Sequence, residues 1–187
     1  MIVKNYELNK LKNNNIKLYL LYGENDGHKN QVINNYFVSK SKENTHRYEE
    51  SEILKNYDSF ISSLLNKSFF DLNKTIIISR SSDKILKLVE EIINSKIEDI
   101  LLVINCELLD KKSKIRSFFE KNNNTICIPF YEDELKTLNY LANDFFRKKN
   151  ILISQETINF LIERCRGDRT NLNNELLKIE NYSKNKG

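Results

Sequence analysis

Glycine and proline are scarce in this sequence, with four glycines and a single proline, Pro129, among 187 residues. An all-β fold needs many tight turns, and these two residue types dominate such turns, so the composition argues against that class. It favours long regular elements instead. Hydrophobic residues make up 40% of the chain and charged residues 30%, which suffices for a packed core in one good-sized domain, with or without a small appendage.

Cysteine is also scarce, and long apolar runs are missing. The three cysteines lie far apart and form no C-x-x-C pair, which predicts buried free thiols in a reducing cytoplasm rather than a zinc site. No run approaches the roughly 18 apolar residues of a membrane span. The N-terminal stretch MIVKNYELNKLKNNN has no apolar core of the kind found in secretory signals. We therefore expect a cytoplasmic protein without a membrane partner.

A strong excess of one charge sign is missing as well. The chain has 30 basic and 26 acidic residues, well mixed, and a net charge of +4. Domains that bind nucleic acids usually show a larger imbalance, so we expect DNA contact to be weak or indirect. The basic run Asp110–Arg116 (DKKSKIR) could face DNA phosphates, but a solvated helix face is the favoured interpretation.

The first two thirds of the chain alternate between compact apolar runs and amphipathic segments. Continuous, often β-branched runs predict buried strands, and apolar residues at a helical period predict helices. The predicted strands are 16–22, 45–48, 75–79, 99–105 and 125–128. The predicted helices are 31–38, 52–65 with Ser51 as its N-cap, 83–94, and 111–121 with a basic face of Lys111, Lys112 and Lys114. This alternation predicts an α/β fold, a five-stranded parallel sheet flanked by helices.

After Pro129 the pattern changes to helices alone. The first helix spans 132–149, Ser154 caps the second, Gly167 is predicted at its C′ position, and Asp168 caps the third. A small three-helix domain should therefore follow the α/β domain, with boundaries at 1–131 and 132–187.

The stretch Leu20–Asn30, LLYGENDGHKN, nearly has the layout of a phosphate-binding loop between a strand and a helix. A working loop reads G-x-x-x-x-G-K-[ST]. Here Gly23 and Gly27 have three residues between them, Lys29 is not adjacent to the glycine, and Asn30 replaces the metal-binding hydroxyl. We therefore predict a degenerate, non-functional nucleotide loop.

Two further features support that prediction. Glu24 and Asp26 place negative charge in a loop that would have to receive phosphate. Nucleotide hydrolases of this type end a core strand in acidic residues that hold Mg²⁺, whereas the strands TIIIS and DILLVIN end in no carboxylate. We expect no catalytic residues, no metal and no cofactor.

Four stretches of the sequence, in order, resemble the delta subunit of the bacterial DNA polymerase III clamp loader. They are the strand leading into YGEND, then SFFDLNKTIIIS, then ILLVINCELLDKKSKIRSFFEK, and finally CRGDRTNLNNELLKIENY. The most specific match is the last stretch, where six residues fall in register with the family's closing helix: Gly167, Leu172, Asn174, Glu175, Leu176 and Lys178.

The resemblance covers essentially all 187 residues and implies an AAA+-type α/β domain followed by a helical lid. The family's third domain, a collar that joins the other clamp-loader subunits, has no counterpart in this sequence. ATP-binding relatives carry an arginine at the third position after the lid glycine. This chain has Thr170 there, and Arg169 comes one residue too early.

The resemblance also implies a function and a contact site. Delta subunits bind and open the sliding clamp, the beta subunit, during DNA replication, and are not themselves enzymes. The resemblance places the clamp contact at Phe69 and Phe70, and Leu65 and Leu72 would flank it. Adjacent phenylalanines cannot both face one core from a regular element, which also favours exposure of one ring, although both could still pack beneath the sheet.

Two alternatives stay open from the sequence. One is an active P-loop or AAA+ nucleotidase that binds nucleotide at Gly23–Lys29 through an unusual loop. The other is a different AAA+-derived adaptor, with the same fold and loop but another partner.

Overall fold

The computed structural model describes residues 1–4, 7–8, 16–38, 44–65, 74–95 and 99–184. The chain divides into two compact units. Unit 1 contains residues 1–24 and 31–130, and unit 2 contains residues 25–30 and 131–187. The boundaries inferred from the sequence place residues 25–30 in the first domain, whereas the structure groups them with the helical unit.

Unit 1 is built on a parallel sheet of five strands. They are β1 Leu18–Tyr22, β2 Thr45–Glu49, β3 Lys74–Ser81, β4 Ile100–Cys106 and β5 Thr125–Pro129. They lie in the order β2-β3-β4-β1-β5, and every pairing is parallel. The predicted parallel sheet is confirmed, because buried apolar runs mark central strands clearly in a sequence.

Helices cover both faces of this sheet. On one face, alternate strand residues such as Leu20 and Ile104 pack against apolar side chains of four helices: α2 Glu50–Lys55, α3 Tyr57–Leu65, α4 Leu86–Asn94 and α5 Lys114–Lys121. On the other face, Tyr19 and Leu21 pack against Ile33 and Phe37. These two residues belong to the π-helical turn Ile33–Val38, which continues helix α1, Asp26–Val32.

Helix α1 begins earlier than the predicted helix 31–38. The side-chain oxygen of Asn25 accepts a hydrogen bond from the backbone N–H of His28 at 3.0 Å, as an N-cap does. The sequence signal was missed because the first turn contains Gly27 and polar residues, which resemble a loop.

The predicted single helix 52–65 is wrong in two respects. It is interrupted at Asn56, whose φ of −127° and ψ of 42° end α2 before α3 begins. The N-cap is Glu49 rather than Ser51, and Glu49 and Glu52 form a reciprocal capping box.

The predicted helix 111–121 begins later, at Lys114. The Ser113 hydroxyl caps it by accepting from the N–H of Arg116. Lys111 and Lys112 precede the helix, so the predicted helical basic face that includes them is wrong.

Unit 2 contains the three predicted helices, α6 Leu135–Lys148, α7 Gln155–Arg164 and α8 Arg169–Lys184. They enclose their own apolar core, which includes Leu138, Phe146, Ile162 and Leu172. Ser154 and Asp168 cap α7 and α8 as predicted, by accepting from the N–H groups of Thr157 and Asn171. The prediction of Gly167 at C′ is wrong by one residue: α7 ends in a C-cap at Cys165, so Arg166 is the C′ residue and Gly167 follows it.

Candidate functional site

The turn after β1 is shaped by a close approach of two backbone segments in unit 1. Gly23 has a φ of 123°, and its N–H donates to the carbonyl of Glu107 at 3.1 Å. The carbonyl of Tyr22 accepts from the N–H of Phe130 at 2.8 Å. A Cβ on residue 23 would lie 2.2 Å from the carbonyl oxygen of Phe130, so only glycine fits here.

In unit 2, residues of the first turn of α1 contact other groups of the protein at the positions where a P-loop would contact phosphate. The ammonium group of Lys29 is buried and forms an ion pair with Asp26 at 2.8 Å. A Cβ on Gly27 would lie 2.8 Å from both the backbone nitrogen and the Oγ1 of Thr170, at the start of α8. In a working P-loop the lysine and the backbone N–H groups instead face the phosphates.

A buried polar cluster, formed by Asn25, Asp133 and Arg169, lies beside this turn. Arg169 donates from Nε and Nη2 to the two carboxylate oxygens of Asp133, each at 2.6 Å. Their side chains are 5% and 7% exposed. Asn25 Nδ2 donates to Asp133 at 2.8 Å and to the carbonyl of Tyr131 at 3.0 Å. A two-pronged pair of this kind fixes the guanidinium in position.

His28 lies next to this cluster and has a strongly perturbed pKa. Burial, and then the positive charge of Arg169, lower the pKa of His28 to about 4, although Asp133 acts in the opposite direction. The imidazole is therefore neutral at pH 7. The sequence carries no local signal for this environment, because the neighbours of His28 come from distant parts of the chain.

Within the described residues, neither β3 nor β4 has a carboxylate as its last residue, although Glu107 follows β4 directly. β3 ends at Ser81 and β4 at Cys106, in agreement with the sequence analysis. The nearest carboxylate after β3, Asp83, accepts hydrogen bonds from the Ser113 hydroxyl and from the N–H groups of Lys114 and Ile115. Among the residues that the structure describes, no group of three or more His, Cys, Asp or Glu side chains could hold a metal ion.

The predicted clamp-contact residues Phe69, Phe70 and Leu72 lie outside the described residues, as does the side chain of Leu65. Helix α3 leads to this stretch and ends at Leu65, and β3 begins after it at Lys74. The apolar stripe of α3, formed by Tyr57, Phe60, Ile61 and Leu64, packs against the core of unit 1. The apolar face of α3 is therefore already packed against the core, upstream of the two phenylalanines in the chain.

The basic run Asp110–Arg116 divides into two parts. Lys111, Lys112 and Lys114 are exposed. Arg116 is half-buried, pairs with Glu120 at 2.8 Å and lies over the ring of Tyr22 at 4.8 Å. Of the basic residues in this run, only the three lysines are fully available to an external partner.

The three cysteines are free and buried, as predicted. No helix in the described part of the chain is long and apolar enough to cross a membrane.

The fold is shared with known replication proteins. The chain is similar in structure to the Bacillus subtilis DNA clamp loader delta protein (YqeN), with a TM-score of 0.57, 16% sequence identity, and coverage of 95% of this chain and 56% of that one. It is also similar to domain III of the Thermotoga maritima replication initiation protein DnaA, with a TM-score of 0.56, 16% identity, and coverage of 97% and 83% respectively.

At this level of identity the similarity describes the fold alone, which is the predicted α/β fold with a five-stranded parallel sheet flanked by helices. The chain spans little more than half the length of the clamp loader protein that it matches. No model of a known protein family matches the sequence, and a comparison with curated proteins finds no match.

Proposed function

We propose that this chain is a DNA-replication subunit of the clamp-loader delta type, which binds the sliding clamp and holds it open. The observation that carries the proposal is the structural similarity to a clamp loader delta protein over 95% of the chain. The order of the four sequence stretches that resemble the delta family supports it independently.

The proposed role is mechanical, without ATP hydrolysis by this chain. Three features of the former nucleotide loop support this. Gly23 is required by the backbone of Phe130, Lys29 is paired with Asp26, and Gly27 is packed against Thr170. The loop would then act as a scaffold turn, and the energy for the cycle would come from ATP bound to other subunits.

The proposed clamp contact consists of Phe69 and Phe70, with Leu65 and Leu72 at its edges. Burying one phenylalanine contributes about 1.5–3 kcal/mol, so two anchors supply a useful part of a micromolar affinity. A contact that binds the open clamp more tightly than the closed one shifts the clamp's equilibrium towards opening. Contacts with other loader subunits would run through a collar domain, and DNA contact would be weak or indirect.

Calorimetric titration of the chain with the sliding clamp tests the proposal. The variant Phe69→Ala/Phe70→Ala should bind at least about tenfold more weakly than the unmodified chain, given the apolar area removed. Phe160→Ala is the matched control, because that aromatic ring is 61% exposed on unit 2 and should not affect the contact. Absence of clamp binding by the unmodified chain would refute the function, and equal binding by the double variant would refute the assigned contact.

A further inference from the structure

A concave groove with a basic rim lies along α5 in unit 1. Its volume is about 640 Å³, and Lys112, Lys114 and Lys121 line it together with Leu86 and Phe118. The three lysines are exposed, whereas Leu86 and Phe118 are half-buried and pack on the core below. The groove therefore combines an apolar floor with a cationic rim.

Helical spacing explains why these groups share one surface. Lys114, Phe118 and Lys121 lie at positions i, i+4 and i+7 of α5, on the same side of the helix. Ile115 and Phe119 are buried on its inner side. None of the described residues lining the groove is acidic, so an anion placed there meets attraction from all three lysines.

A second concave region limits what kind of anion can bind. It has a volume of about 670 Å³ and shares Lys112 with the groove. Its lining also contains three carboxylates, Asp83, Glu107 and Asp110, and two further cations, Arg80 and Lys84. These carboxylates offset the cations of the region, so a long nucleic acid strand leaving the groove in this direction would meet no net attraction for its phosphates. A short acidic segment can remain among the lysines.

We propose that this groove binds a short acidic peptide segment of a partner protein. One apolar side chain of the segment would insert between Leu86 and Phe118, and its carboxylates would lie against Lys112, Lys114 and Lys121. This interaction is separate from clamp opening, since it involves neither Phe69 nor Phe70.

Fluorescence anisotropy with a labelled peptide, DDDLFDDD, tests the proposal, and SSSLFSSS serves as the uncharged probe. We expect the acidic peptide to bind, the serine peptide to bind at least about tenfold more weakly, and the affinity to fall as salt is raised. The variant Lys114→Glu/Lys121→Glu should weaken binding of the acidic peptide by at least about tenfold.

Lys136→Glu/Arg164→Glu is the matched control, because it makes the same change in net charge at exposed positions of unit 2. It should leave peptide affinity within about twofold of the unmodified chain. Circular dichroism establishes that both variants are folded, as expected for exposed positions.

Three results would overturn the proposal: no binding of the acidic peptide, an equal loss in both double variants, or equal binding of both peptides. A single-stranded oligonucleotide of about 20 nucleotides that displaces the peptide, binds more tightly, and depends on Lys114 and Lys121 would also overturn it, in favour of a nucleic acid surface.

Discussion

At the scale of single residues, two glycines with positive φ have different reasons to be glycine. Gly23, at φ 123°, faces the Phe130 carbonyl, whereas a Cβ added to Gly167, at φ 76°, would meet nothing within 4 Å. A side chain at position 23 would therefore cause both backbone strain and steric overlap, whereas one at position 167 would cause backbone strain alone.

We expect Gly23→Ala to destabilise the protein by at least about 3 kcal/mol, because the overlap forces the turn to move. Gly167→Ala should cost about 1–2 kcal/mol, the usual penalty of a left-handed backbone for alanine. Urea unfolding of the two variants measures both values. Equal costs would contradict the role assigned to the Phe130 carbonyl.

His28 predicts a dependence of stability on pH. Its folded pKa of about 4 lies below the ordinary histidine value of 6.5, so the unfolded chain binds the proton more readily. The stability linked to a neutral His28 is fully present above about pH 6.5 and is lost as the pH falls from 6.5 towards 4. Because His28 is partly exposed, solvent screens this effect, and we expect a loss of about 1–2 kcal/mol.

The variant His28→Gln should flatten the pH dependence of the unfolding free energy between pH 4 and 6.5. His46→Gln is the control, since His46 is exposed on β2. If the His46 variant flattens the profile as much as the His28 variant does, the sensitivity does not arise at His28.

The residue scale also shows what the sequence could reveal about the site. The short spacing between Gly23 and Gly27, and Asn30 in place of a hydroxyl residue, are visible in adjacent residues of the sequence. A degenerate nucleotide loop could therefore be predicted. The pairing of Arg169 with Asp133 joins residues 36 positions apart and depends on how the helices pack. No local pattern of the sequence contains that information.

At the scale of elements, strands were easier to predict than helix ends. Buried β-branched runs such as TIIIS have no alternative role, whereas helix ends depend on single capping contacts. Asn56 interrupts a stretch whose apolar spacing suits one continuous helix, and Asn25 starts a helix in what resembles a loop. The spacing of apolar residues shows which face of a helix is buried, but it does not reveal where one helix ends and the next begins.

Helix α5 is the clearest case of a cap supplied from elsewhere in the chain. The Asp83 carboxylate accepts from Ser113, Lys114 and Ile115 at 2.7–3.1 Å. Burial alone would raise the pKa of Asp83, but the hydrogen bonds from Ile115, Ser113 and Lys114 outweigh it and lower the pKa. The carboxylate therefore stabilises the fold at neutral pH, and this contribution is lost as the pH falls through its lowered pKa.

We expect Asp83→Ala to reduce the unfolding free energy by about 1–2 kcal/mol at pH 7, because three donors at the start of α5 lose their acceptor. Asp110→Ala, an exposed carboxylate in the preceding loop, should change it by less than about 0.5 kcal/mol. Chemical denaturation at pH 7 and at pH 3 distinguishes the two, since only the Asp83 difference should shrink in acid. A difference that persists at pH 3 would assign the effect to packing instead.

At the scale of the whole molecule, the fold alone does not distinguish an ATPase from a protein that has lost that activity, so nucleotide binding must be measured. A nucleotide at 100 times its Kd would stabilise the chain by about 2.7 kcal/mol, which corresponds to a rise in Tm of about 5–10 °C for a chain of this size. We expect no such rise in Tm with Mg-ATP, because Lys29 is paired with Asp26 and Gly27 is packed against Thr170.

Two controls distinguish binding at the loop from non-specific binding to surface lysines. Tripolyphosphate reports binding of phosphate groups without a nucleoside, and the variant Lys114→Glu/Lys121→Glu removes two exposed lysines. A Tm increase specific to Mg-ATP and retained in that variant would instead favour the active nucleotidase, with the loop open to phosphate in solution.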